Sequence, residues 1–148
     1  MEKENGKKVW IRIILIPAAG LILLGLCFML YYGIYMFIES NFYSTNMGGM
    51  PAETIRLSLA AVLILLYLII LRTKTSELVK AISLIPPLAL LVIAVTMGFY
   101  LSTVKMIIGI AVITSLCTLW IYKSKKPWIY YYAETVAVIA AIYYAWPE

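Results

Sequence analysis

The sequence contains no histidine, and all seven of its acidic residues are glutamate, so aspartate is absent as well. These absences exclude catalytic triads built on histidine, zinc sites with histidine ligands, and phosphoryl transfer that depends on aspartate. The two cysteines, Cys27 and Cys117, lie far apart and have no third ligand at metal-binding spacing, which favours buried packing residues over a redox pair. We therefore expect no metal and no cofactor, and we expect that the chain is not an enzyme.

Charged residues are also scarce, at 13% of the 148 residues, whereas hydrophobic residues make up 64%. A soluble domain of this size could not bury that much apolar surface. The apolar residues form five runs, each long enough for a helix that crosses a hydrocarbon core about 30 Å thick. The runs cover residues 13–38, 55–71, 81–101, 106–122 and 128–146. The sequence predicts an all-α, polytopic transmembrane bundle of five spans, which forms a single domain over residues 1–148.

The basic residues are distributed unevenly among the loops between these runs. All but two of the 12 Lys and Arg residues precede the first run or lie in every second loop after it, and the exceptions are Arg56 and Lys105. Because cytoplasmic loops carry the excess of Lys and Arg, the N-terminus is predicted in the cytoplasm and the C-terminus outside. The net charge of +5 then indicates contact with anionic lipid. We expect a multi-pass protein of the cell membrane whose partner is the lipid bilayer, not nucleic acid.

Glu134 is the one ionisable residue that is predicted to lie well inside a span, since the centre of the fifth run is near Ala137. A charge at that depth costs roughly 2.5–3.5 kcal/mol, so the group should face protein or water and have a partner, or be protonated. Ala137 and Ala141 follow Glu134 at helical spacing, and such small residues allow a neighbouring helix to approach closely. An intramembrane carboxyl group is typical of a proton or cation site, but it can also merely hold helices together.

The fourth run offers hydroxyl groups at the predicted depth of Glu134. Thr114, Ser115 and Thr118 follow Ala111 at the spacing of one helix face, and we expect the fourth helix to pack against this side of the fifth. Ser115 and Thr118 are the predicted hydrogen-bond donors to the carboxyl group.

The third run contains two adjacent prolines, Pro86 and Pro87. Two missing N–H groups predict a kink or local unwinding, with the freed carbonyl groups of Ile82 and Ser83 facing the bundle, not lipid. Tyr67 of the second run is expected at a similar depth. We therefore predict one polar layer in the inner half of the bundle, whose candidate ligand- or ion-binding residues are Glu134, Thr118, Ser115, Thr114, Ser83 and Tyr67.

Two classes of function fit this layer. The first is transport, by a proton-coupled carrier that acts as an oligomer or by an integral subunit of a larger transporter, with Glu134 as the proton or cation site. The second is a non-catalytic accessory, scaffold or immunity-type protein that binds a membrane partner through its small-residue faces. An enzyme ranks third, because no nucleophile lies at a useful spacing from a base. Both leading hypotheses predict a homo-oligomer or a membrane-protein partner.

Overall fold

The computed structural model describes residues 6–42 and 52–145, and every regular element within them is an α-helix. The five helices are α1 (Gly6–Phe42), α2 (Ala52–Arg72), α3 (Glu77–Gly98), α4 (Thr103–Lys123) and α5 (Trp128–Ala145). The all-α fold class is thereby confirmed. Among the described helices, α1 to α4 are long and apolar enough to cross a membrane. The tyrosines and Glu134 lower the hydropathy of α5, so the fifth crossing stays a prediction.

The start of α3 differs from the predicted run. The helix begins at Glu77, four residues before the expected boundary, because Ser76 caps it by accepting a hydrogen bond from the Val79 N–H at 3.4 Å. A polar cap of this kind is invisible to a boundary drawn from hydropathy. As a consequence Lys80, which was expected in a loop, lies inside α3 and is buried.

α3 is the central helix and contacts each of the other four. Around it the neighbours follow the order α2, α1, α5, α4, because α1 contacts both α2 and α5, and α5 contacts α4. In the most apolar stretch of α3, 72% of the residues are buried, compared with 17% in α1, 17% in α2 and 11% in α4. The surrounding helices therefore shield α3, while each of them keeps an exposed apolar face that suits lipid.

The small-residue face of α5 is fully buried, with Ala133, Ala137 and Ala141 all 0% exposed. As expected, α4 contacts α5 at Glu134, but α5 has its most extensive contact with α3. The reason is that α3 occupies the centre of the bundle, where close approach is needed most. Tyr144, three residues after Ala141, is 58% exposed and stacks on Phe28 of α1 with ring centroids 4.5 Å apart.

Pro86 and Pro87 both lie in the buried part of α3, so they face the bundle as expected. The helix continues without interruption from Glu77 to Gly98, and the predicted local unwinding is absent. Two missing donors remove only two of the overlapping helical hydrogen bonds, and the bonds on either side keep the helix formed. A kink within this continuous helix stays a prediction.

Candidate functional site

Glu134 lies near the end of the second turn of α5 and is 6% exposed. The Thr118 hydroxyl of α4 donates a hydrogen bond to Oε1 of its carboxyl group, with 2.9 Å between the oxygens. The thiol of Cys117 contacts the same carboxyl group. Both partners are uncharged, so they solvate the carboxyl group without neutralising it. The structure thus brings Glu134 and Thr118 together, and their role in binding a ligand or an ion stays a prediction.

This pair lies in an open groove between α4 and α5, which encloses about 300 Å³. The groove is lined by Thr114, Thr118, Tyr131, Glu134, Thr135, Val138 and Ile139. Thr118 and Thr135 are exposed, so the groove opens on the outer surface of the bundle. The hydroxyls of Thr114 and Thr135 donate back to carbonyl groups of their own helices, at 2.9 Å each. The Thr118 hydroxyl, in contrast, ties α4 to α5.

Ser115 does not reach this groove and is exposed on α4. Successive residues of a helix are rotated by about 100°, so Thr114 and Thr118 share one side of α4 while Ser115 lies beside it. The predicted contact between Ser115 and Glu134 is therefore wrong. Residue counts along the sequence give depth in the membrane, but they do not give the rotation of α4 about its own axis.

The other predicted residues, Tyr67, Ser83, Pro86 and Pro87, line a different cavity, of about 170 Å³, between α1, α2 and α3. The expected single polar layer is thus divided into two groups, on either side of the central helix. Tyr67 provides the connection between them, because its ring lies edge-on to Trp120 of α4, with centroids 6.2 Å apart.

A third polar cluster, around Glu77, was missed in the sequence. The Tyr130 hydroxyl donates to Oε2 of Glu77 at 2.7 Å, and Lys80 Nζ donates to Oε1 at 3.1 Å. Lys126 Nζ lies 3.8 Å from Oε2 and 5.2 Å from the centroid of the Tyr130 ring. The cluster joins the start of α3 to α5 and to the loop before α5. The spacing of Glu77 and Lys80 by three residues was the available signal, but it requires that α3 already begins at Glu77.

The turn after α4 places Lys126 in this cluster. The Lys125 N–H donates to the Tyr122 carbonyl and the Lys126 N–H to the Ile121 carbonyl, both at 3.1 Å. Lys125 has a φ of 49°, in the left-handed region. This pair of hydrogen bonds with a left-handed residue is a Schellman motif, which ends the helix and turns the chain back.

Within residues 6–42 and 52–145, no group of three or more His, Cys, Asp and Glu side chains could hold a metal ion. Comparisons of the chain with protein families, with curated proteins and with solved structures give no match. The α4–α5 groove, the cavity beside Tyr67 and the Glu77 cluster are therefore the features that bear on function.

Proposed function

We propose that this protein takes part in transport across a membrane and that Glu134 is its proton- or cation-binding group. The observation that carries the proposal is a buried carboxyl group that accepts a hydrogen bond from the uncharged Thr118, beside an open groove. Ionisable groups inside membrane helices are costly and mark ion and proton pathways. A carboxyl group with uncharged partners can gain or lose a proton without breaking an ion pair.

The same groove supports the proposal that the chain assembles with another protein. The exposed hydroxyl-bearing residues Thr118 and Thr135 lie at its rim, on helices whose other exposed residues are mostly apolar. Their hydroxyls already bond within the chain, but a carboxyl group inside a membrane, such as that of Glu134 beside this groove, faces protein or a water-filled cavity and not lipid. We infer that another protein surface covers the groove, either a second copy of the chain in a carrier or a subunit of a larger transporter.

We further propose five crossings, with the N-terminus in the cytoplasm and the C-terminus outside. The 18 residues of α5 extend about 27 Å, close to the thickness of the hydrocarbon core. In a variant without Cys27 and Cys117, cysteines introduced at Thr75 and Ser124 should resist a membrane-impermeant thiol reagent in intact cells. A cysteine at position 46, in the predicted outer loop, should react. Labelling at Ser124 from outside would contradict this topology.

The accessory hypothesis is the second candidate, and the exposed α4–α5 groove is the observation that favours it. A partner helix could dock there and use Glu134 as a hydrogen-bonding group. The small-residue face of α5 no longer supports this hypothesis, because Ala133, Ala137 and Ala141 are buried within the chain. The two candidates differ in what Glu134 must do: a carrier needs it to exchange protons or cations, whereas an accessory protein needs only its hydrogen bonds.

Proton flux in proteoliposomes tests the proposal. The purified protein is reconstituted with a pH-sensitive dye inside the vesicles, and a potassium diffusion potential drives protons inward. Wild-type protein should carry protons, and Glu134→Gln should abolish the flux, because the amide keeps the hydrogen bond to Thr118 but does not titrate. Glu53→Gln, the same change at an exposed residue near the start of α2, should keep the flux.

Folding and assembly are followed in parallel by size-exclusion chromatography in detergent. Glu134→Gln should elute like wild type, so that loss of flux reports the site and not unfolding. If wild-type vesicles carry no protons, while Glu134→Ala but not Glu134→Gln dissociates the oligomer, the accessory hypothesis replaces transport.

A further inference from the structure

The described residues that line the α4–α5 groove include one acidic side chain, Glu134, and no basic one. When Glu134 is ionised, the groove therefore carries a single negative charge beside a space of about 300 Å³. A charge within a membrane is costly unless a group of opposite charge or water balances it. A ligand that enters this groove therefore gains most if it carries one positive charge.

Small metal ions match the groove poorly. Hard cations such as Mg²⁺ and Ca²⁺ take about six to eight oxygen ligands and usually keep waters or several carboxylates. The groove supplies one carboxyl group and a few hydroxyl groups, of which those of Thr114 and Thr135 are already tied to carbonyl groups of their own helices. A dehydrated metal ion would lose more hydration energy than these groups return.

An organic cation fits the lining better, because alkyl or aryl groups surround its charge and weaken its hydration. Tyr131, Glu134 and Val138 are separated by three and four residues, so they form a row along one side of α5. The carboxyl group is thus flanked by an aromatic residue one turn before it and by the aliphatic Val138 and Ile139 one turn after it. Tyrosine rings attract quaternary ammonium groups through cation–π interactions.

We propose that the α4–α5 groove binds a monovalent organic cation with apolar substituents, and that the Glu134 carboxylate is its counter-ion. Tyr131 contacts the charged centre, Val138 and Ile139 contact the apolar part, and the hydrogen bond from Thr118 holds the carboxylate in place. This inference rests on the proposed role of Glu134. It names the substrate class: the organic cation and the proton use the same carboxyl group in turn, and the proton leaves to water when the cation binds.

Binding of radiolabelled benzyltrimethylammonium to the purified protein in detergent tests this inference. At alkaline pH, where protons compete least, wild-type protein should bind the probe. Glu134→Gln should weaken binding at least tenfold, whereas Glu53→Gln, at an exposed residue near the start of α2, should leave it unchanged. Neopentylbenzene, in which carbon replaces the charged nitrogen, should not compete. Unchanged binding by Glu134→Gln, or equal competition by the neutral compound, would overturn the proposal.

Tyr131 provides the second arm of the test. Tyr131→Phe keeps the ring and should bind the probe within twofold of wild type, whereas Tyr131→Leu should bind it at least threefold more weakly. The matched control is Tyr143→Leu, because Tyr143 lies on the same helix, is 91% exposed and is outside the α4–α5 groove. Size-exclusion chromatography identifies any variant that does not fold. Equal binding by folded Tyr131→Leu and Tyr143→Leu would refute the placement of the charged centre beside Tyr131.

The proton-flux assay separates this inference from the proposed function. If wild-type protein carries protons through Glu134 but does not bind benzyltrimethylammonium, the transport proposal stands and the organic-cation site is wrong. If the probe binds and requires Glu134, while proteoliposomes show no flux, the site stands and the transport proposal fails.

Discussion

Gly20 should be the position on α1 that is least tolerant of a larger residue. It is buried against α3, where an added methyl group would overlap Cδ1 of Ile85 and lie 3.3 Å from Cγ1 and 3.4 Å from Cβ. Ile85 is 0% exposed at the centre of the bundle. Helices in membranes associate through small residues that let their backbones approach, and Gly20 provides such a contact between α1 and α3.

The cost of Gly20→Ala follows from two opposing contributions. An extra methyl group in a filled core costs typically about 1–3 kcal/mol, because neighbouring side chains or backbones must shift. Alanine in a helix gains up to about 1 kcal/mol over glycine. Rotation of Ile85 Cδ1 relieves the worst overlap but leaves the contacts with Cγ1 and Cβ, which are close to the backbone of α3. We expect a net loss of about 1–2 kcal/mol in the free energy of unfolding.

Gly25 provides a matched control on the same helix. A methyl group added there meets nothing within 4 Å, so Gly25→Ala should be neutral or stabilise the protein by up to about 1 kcal/mol. Gly109 of α4 should behave like Gly20, since its added methyl group would lie 2.5 Å from Val95 Cγ1 of α3. Unfolding by dodecyl sulfate in mixed micelles, followed by circular dichroism, gives the three values. Equal effects of Gly20→Ala and Gly25→Ala would refute the packing argument.

Two further predictions use the same unfolding assay. Lys125→Gly should stabilise the protein by about 1 kcal/mol, because glycine adopts the left-handed conformation of this residue without steric cost, whereas Lys123→Gly at the end of α4 should not. A loss of stability in Lys125→Gly would contradict the Schellman assignment. Tyr130→Phe should cost about 1–2 kcal/mol by removing the hydrogen bond from a fully buried hydroxyl to Glu77, which is partly exposed. An unchanged unfolding curve would mean that Lys80 and Lys126 alone satisfy this carboxylate.

The helices were predictable because their physical signal is strong and local. Long apolar runs separated by short polar loops locate each of the five, and the observed bounds of α2 and α4 lie within a few residues of the expected ones. The start of α3 was missed because it depends on the side chain of Ser76, which contributes nothing to hydropathy. Missing these four residues had a further consequence. With Glu77 and Lys80 assigned to a loop, their pairing at helical spacing was not predicted.

The sequence predicted the depth of the candidate residues but not the rotation of the helices that carry them. Counting residues along two helices places Glu134 and Thr118 at the same level, and the structure joins them by a hydrogen bond. The same count places Ser115 as close to the depth of Glu134 as Thr118, and only the rotation of α4 about its axis keeps Ser115 out of the site. Choosing between them requires the position of α3, which makes the most extensive contact with α5 and leaves a smaller contact to α4.

The central position of α3 also decides how polar residues at one depth can act together. A layer drawn from the sequence treats Tyr67, Ser83 and Glu134 as neighbours, but the first two line the cavity between α1, α2 and α3, whereas Glu134 lies in the groove between α4 and α5. Coupling between the two sides must then pass beside α3, and in the described structure Tyr67 is the side chain that reaches across the gap between α2 and α4. Changes at Tyr67 should therefore affect both polar groups, whereas changes at Thr135, on the far rim of the α4–α5 groove, should affect only one.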